Sequence, residues 1–286
     1  MRYCMVRKPF ILSVLCLAVL LPLSPAVGQA ECFFEEGFDD FNFSNRDWNG
    51  QASNITLSTS VTHSGNSAAQ FSYDTGTGGL TQCRTNMFKT FNSTRSIYIS
   101  YWVNYSSDWR TNNTPIDQRV MYVLTSEYPE YPSLSHAPLT IYSIISRDYP
   151  GFVTLKIATL KKDGYKTYWE GSKPGALTVD AWHNIELFAK LNSSAGMPDG
   201  EIQLSVDGEK QLKHTNVVFR IRPGGDNTPI DEVVPTTIFN QLVISPYIFR
   251  REDTGSLNFY IDELKVCDSN PEPPPSAPQN VRTSSP

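Results

Sequence analysis

Residues 182–213, WHNIELFAKLNSSAGMPDGEIQLSVDGEKQLK, decide the fold class of this chain. Within them Ile185, Leu187, Ala189 and Leu191 put a small or apolar residue at every second position, with Asn184, Glu186, Phe188 and Lys190 between. Successive side chains of a strand point to opposite faces, so this period of two predicts a strand with one buried face. Pro198, Asp199 and Gly200 close the next loop, and Ile202, Leu204 and Val206 form a second apolar set. Asp207-Gly208 then offers a tight reversal into a third strand, and the three together predict a β-meander.

The pattern continues outward. Residues 96–105 (SIYISYWVNY) set Ile97, Ile99, Tyr101, Val103 and Tyr105 on one face, and Tyr98, Ser100, Trp102 and Asn104 on the other. A first strand is expected from Cys32 through Phe33 and Phe34. Further strands are expected over 54–62, 68–73, 84–91, 120–124, 139–145, 152–160, 165–169, 238–244 and 257–266. Helical period is absent from any stretch longer than about ten residues, and many short strands separated by turns predict an all-β sandwich or barrel.

The 286 residues suffice for one large β domain or two small ones. Arg2, Arg7 and Lys8 precede an apolar run over 10–21 and a small-residue exit, Ala26-Val27-Gly28-Gln29-Ala30. This is the layout of a secretory signal peptide over 1–30, and its apolar run falls short of the about twenty residues of a membrane helix. Neither Cys4 nor Cys16 follows the small-residue box of a lipidated cysteine, so a soluble secreted or periplasmic protein is expected. Cleavage would remove three basic residues and no acidic one, leaving 21 Lys and Arg against 29 Asp and Glu, a formal charge of −8. That charge argues against nucleic acid or an anionic membrane as the main partner.

Three cysteines follow the signal segment: Cys32, Cys83 and Cys267. An odd number leaves at least one without an intrachain partner. Cys32 opens the first strand and Cys267 follows the last; if those strands meet, as in closed two-sheet folds, the two pair. Three buried thiols are the alternative. The expected domain spans 31–270. Beyond it, 271–286 form a Pro-rich linker whose Ser276-Ala277-Pro278-Gln279-Asn280-Val281-Arg282 resembles the opening strand of a fibronectin type III domain. A monomeric unit within a longer modular chain is the expectation.

Six segments in order carry a wider resemblance: Phe34-Glu35-Glu36-Gly37-Phe38, His63-Ser64-Gly65-Asn66-Ser67-Ala68, Ile97 to Val103, Trp182-His183-Asn184-Ile185-Glu186, Asp199-Gly200 through Gly208, and Tyr260-Ile261-Asp262-Glu263-Leu264. Together they resemble the concanavalin A-like lectin and glucanase superfamily of secreted bacterial proteins, which includes carbohydrate-binding modules, laminin G-like domains, glucanases and polysaccharide lyases. The resemblance implies a two-sheet antiparallel jelly-roll sandwich with a groove for a polysaccharide, and no particular activity. It also implies a structural calcium where the opening and closing strands meet, with Glu35, Gly37 and Asp262 in the matching places, and no organic cofactor.

Sugar rings stack on aromatic faces while polar groups bond their hydroxyls, so Tyr98, Trp102, Lys156, Glu186 and Lys190 are the candidates for carbohydrate binding. The plainer alternatives are a Trp102 covered by a loop and a solvated Lys156. A retaining glucanase needs two carboxylates on one strand face, and Asp262 and Glu263, being adjacent, are expected on opposite faces. A lyase of uronate-containing glycans needs a group to neutralise the carboxylate and a base for the C5 proton; Arg84, His136 and Tyr142 supply those types, with Lys156 as a further cation. His63 and His183 are expected to be structural. The preferred expectation is carbohydrate recognition, with lyase activity as the rival and a structural or adhesive role as the third.

Overall fold

The computed structural model describes residues 31–50, 55–74, 87–110, 117–124, 139–145, 152–160, 166–193, 197–217, 219, 238–249 and 256–269. Residues 1–30, Cys83, Arg84, His136 and the segment from 270 onward lie outside them.

Sixteen strands occur among the described residues: β1 (Cys32–Glu36), β2 (Asn49–Gly50), β3 (Ile55–Ser58), β4 (Ala68–Asp74), β5 (Met87–Thr94), β6 (Ser96–Tyr105), β7 (Asp117–Leu124), β8 (Leu139–Ile145), β9 (Phe152–Leu160), β10 (Lys166–Glu170), β11 (Leu177–Thr178), β12 (Trp182–Lys190), β13 (Gly200–Val206), β14 (Glu209–Val217), β15 (Phe239–Phe249) and β16 (Ser256–Cys267). Two short 3-10 turns, Phe43–Arg46 and Ser107–Arg110, are the only helical segments among them. Sheet A runs β14-β13-β12-β6-β16-β4-β3, with β1 also pairing β16; sheet B runs β10-β9-β8-β7-β15-β5-β2, with β11 also pairing β9. Neighbours are antiparallel, and the fold is a jelly-roll sandwich.

The apolar positions of the period-two segments make the core. Ile97, Ile99, Tyr101, Val103 and Tyr105 of β6 are fully buried, as are Ile185, Leu187 and Ala189 of β12. Sheet B contributes Met121 and Val123, Leu139 and Ile141, and Val153, Leu155 and Ile157 to the same cluster. At the expected hairpin, Asp207 (φ 50°) and Gly208 (φ 75°) both adopt the left-handed conformation that a two-residue turn between twisted strands requires. Asp207 also accepts the Asn184 backbone N–H at 2.8 Å and contacts His183 Nδ1 at 2.8 Å, which ties the turn to β12. His183 Nε2 accepts the Thr178 N–H at 2.9 Å, so Nδ1 carries the proton toward Asp207.

The expected strand over 54–62 is shorter, because the Ser58 hydroxyl accepts the Val61 N–H at 2.9 Å and turns the chain. The strand expected over 238–244 runs on to Phe249 through an irregularity between Ile244 and Tyr247. In the opening segment Glu36 is buried with its charge satisfied. Oε1 accepts the Phe38 N–H at 2.9 Å, and Oε2 accepts Arg46 Nε at 2.9 Å and Trp48 Nε1 at 2.8 Å.

Cys32 and Cys267, Cα partners of β1 and β16, form a disulfide across a sequence separation of 235. A link closing so long a loop removes much of the freedom of the unfolded chain. Replacing both cysteines by serine is expected to lower unfolding free energy by about 2–5 kcal/mol, read as a lower denaturant midpoint with a steeper slope, since the uncrosslinked unfolded chain exposes more surface.

Candidate functional site

A sandwich has two outer faces, and the candidate residues divide between them. Tyr98, Trp102, Glu186 and Lys190 belong to sheet A, whereas Lys156 and Tyr142 belong to sheet B. No single groove on one face can contain all five carbohydrate candidates.

On sheet A several candidates are engaged with each other. The Tyr98 hydroxyl donates to Glu186 Oε1 at 2.6 Å, and burial, then this bond, push its phenol well above the ordinary range. Tyr98 is only 5 % exposed, so the pair offers little to a sugar ring. Lys190, at the end of β12, is exposed. The indole of Trp102 is stacked at 3.8 Å and 15° under the imidazole of His63, which also meets Trp182 edge-on at 5.7 Å. One face of Trp102 is therefore covered by the turn that carries His63.

That turn is held by Asp262. Its Oδ2 accepts the N–H groups of His63 at 3.0 Å and Ser64 at 3.1 Å, and its Oδ1 accepts that of Glu263 at 2.8 Å. Burial raises the Asp262 pKa, the three N–H donors pulling the other way. Gly65 follows at φ 59°, and a Cβ there would lie 2.3 Å from Asp39 Oδ1, which accepts the Asn66 N–H. The left-handed φ favours glycine, and any side chain there would have to displace the Asp39 carboxylate from the Asn66 N–H.

Glu263 corrects an expectation. It adopts φ 48° at a bulge where the register of β16 against β6 shifts between Asp262 and Lys265. Strict alternation would send Asp262 and Glu263 to opposite faces; the bulge instead lets both address His63, Glu263 Oε2 lying 3.2 Å from His63 Nδ1. The approach is off the hydrogen-bonding direction, since that nitrogen has no hydrogen-bond partner. With Asp262 committed to backbone donors, the pair does not form a glycosidase dyad.

The residues expected to hold calcium are likewise engaged. The Glu35 carboxylate pairs with Lys265 at 3.0 Å, and both Asp262 oxygens accept backbone N–H groups. Among the described residues no three His, Cys, Asp or Glu side chains are grouped to hold a metal ion.

Sheet B holds a different arrangement. Lys156 lies between buried Leu155 and Ile157, and so belongs to the outer face. Its Cα partners are Tyr142 on β8 and Glu170 on β10; Tyr142 in turn pairs with Arg119 on β7, and Arg119 with Tyr247 on β15. Directly opposed residues of antiparallel strands belong to one face, so five strands contribute one transverse row. Two register irregularities fall at this level, between Arg119 and Met121 and between Ile244 and Tyr247. Val120 and Met121 are both buried, which marks the extra residue. Without it Arg119 would share the face of Met121 and Val123 in the core. Arg119 was hidden in the sequence for that reason; Arg84 and His136 lie outside the described residues.

No protein-family model matches the sequence, and no curated protein does. Among solved structures the chain is similar to alginate lyase vAL-1 from Chlorella virus, at 14% identity over 80% of this chain and 97% of that one, with a TM-score of 0.52. It is similar also to alginate lyase Aly36B, at 11% identity over 84% and 93%, with a TM-score of 0.50. A variant of Aly36B in complex with an alginate trisaccharide gives 12% identity over 83% and 96%, with a TM-score of 0.52. At these identities the likeness is one of fold.

Replacing Asp262 by alanine leaves two N–H groups of the His63 turn and that of Glu263 at the bulge without their acceptor. The expected cost is about 2–4 kcal/mol in urea unfolding, and indole fluorescence should shift as His63 leaves Trp102.

Proposed function

We propose that the protein is an exported polysaccharide lyase that cleaves an acidic, uronate-containing glycan by β-elimination on the outer face of sheet B. The row of Arg119, Tyr142 and Lys156, at the level where β7 and β15 are both irregular, carries this reading. Bulges are enriched beside active sites because they re-aim side chains. That solved structures sharing this fold include alginate lyases supports it.

The chemistry asks for few groups. The proton on C5 of a uronate is acidified by the adjoining carboxylate once that charge is neutralised, and cations at Arg119 and Lys156 suit this task. Tyr142 stands between them in register. In this reading Tyr142, as phenolate, takes the C5 proton. The electron pair forms the C4=C5 double bond, the C4–O4 bond breaks, and the departing oxygen is protonated from Tyr142 or from water. No metal or organic cofactor has a step in this scheme.

The test is incubation of the protein with polyuronates and with neutral polysaccharides, following ultraviolet absorbance of new double bonds alongside co-sedimentation. Absorbance is expected to rise with an acidic glycan only. Tyr142→Phe and Lys156→Ala should lower kcat by about 10²–10⁴, and Arg119→Ala by about 10²–10³. Co-sedimentation with no new absorbance would replace the lyase by a carbohydrate-binding module.

A further inference from the structure

The outer face of sheet A carries a cleft of about 360 Å³ lined by Glu35, Gly37, Ser100, Trp102, Glu263 and Lys265, among others. Its size falls within the about 300–1,000 Å³ of small-molecule sites. Three features give it a chemistry. Trp102 is half-buried and held still by the His63 stack on one ring face, so the cleft meets the rest of a pre-positioned indole. Glu263 is brought to the cleft by a bulge and a left-handed backbone that costs energy in a residue other than glycine; such strain collects at functional sites. Glu35 and Lys265 form an ion pair at 3.0 Å with about half of each side chain exposed, at 59% and 45%, so both remain open to a ligand's hydroxyls.

We infer that this cleft is a second carbohydrate site, on the sheet opposite the lyase row, that takes a neutral glycosyl unit. An indole edge or face supplies the apolar contact for a pyranose ring. The carboxylates of Glu35 and Glu263 accept hydroxyl protons in charge-assisted bonds, and Lys265 and Ser100 donate. Three glutamates in the lining, Glu35, Glu36 and Glu263, against the one ammonium of Lys265 make the cleft unfavourable for a uronate, which separates its ligand from the substrate proposed for sheet B. The inference does not depend on the lyase reading, since it uses other residues on another sheet.

The experiment is a titration of the protein with neutral gluco-, xylo- and manno-oligosaccharides, read by tryptophan fluorescence and calorimetry. Wild type and Lys156→Ala are expected to bind one of these saturably and alike, with Trp102→Ala and Lys265→Ala weakened by about tenfold or more. Circular dichroism tells whether Trp102→Ala remains folded; if it does not, Trp102→Phe and Lys265→Ala decide. Absence of saturable binding at millimolar sugar, binding lost in Lys156→Ala instead, or binding confined to amine-bearing sugars would each overturn the assignment. Loss of this binding with intact lyase activity, or the reverse, separates failure of one proposal from failure of the other.

Discussion

Each strand can surrender only one of its faces to the core, and this parity governs the rest of the structure. Two sheets share a single apolar cluster, so every position on a strand belongs either to that cluster or to an outer face. A register slip of one residue would exchange the two sets wholesale. The chain keeps parity by placing apolar residues at the inward positions of β6, from Ile97 to Tyr105, and of β12, from Ile185 to Ala189, and it breaks parity at the bulges of β7 and β16. Those breaks are where the outer faces acquire side chains that alternation alone would have buried.

Much of the fold was legible for the same reason. The strands at 96–105, 139–145 and 152–160 have the bounds their alternation predicts, and Asp207-Gly208 turns as its composition demands. Arg119 was not legible, because counting back by twos from Val123 and Met121 assigns it to the core; only the doubled inward pair Val120 and Met121 reverses that. Glu263 was misread by the same counting. Other failures came from contacts that no local window contains. Tyr98 and Glu186 meet because β6 and β12 are neighbours, and His63 reaches Trp102 from a turn far back in the chain. Sequence types identify a Tyr or a Lys suited to bind sugar; partnership decides whether it is free to do so.

The two outer faces differ in what they do with charge. On sheet A, carboxylates are mostly consumed in holding the fold: Glu36 gathers Phe38, Arg46 and Trp48, and Asp262 gathers the turn at His63. These are buried acids with full sets of donors, which turns a costly burial into a specific one. On sheet B the register row mixes cations and phenols at a level where two strands are irregular. A rigid, internally satisfied sheet backing a chemically mixed one is a sound platform for a site that must hold its geometry.

The position of β16 has a consequence for how the molecule comes into being. This strand lies in the middle of sheet A, between β6 on one side and β4 with β1 on the other, yet it is made after all of them. Until it emerges, β6 and β4 each present an open edge, and unpaired edges invite association with other chains. Sheet A can therefore be only a pair of unfinished fragments through most of synthesis. Pairing of β16 closes the sheet, gives Cys32 its partner and seats Asp262 under the His63 turn, and a topology dominated by such distant pairings folds slowly.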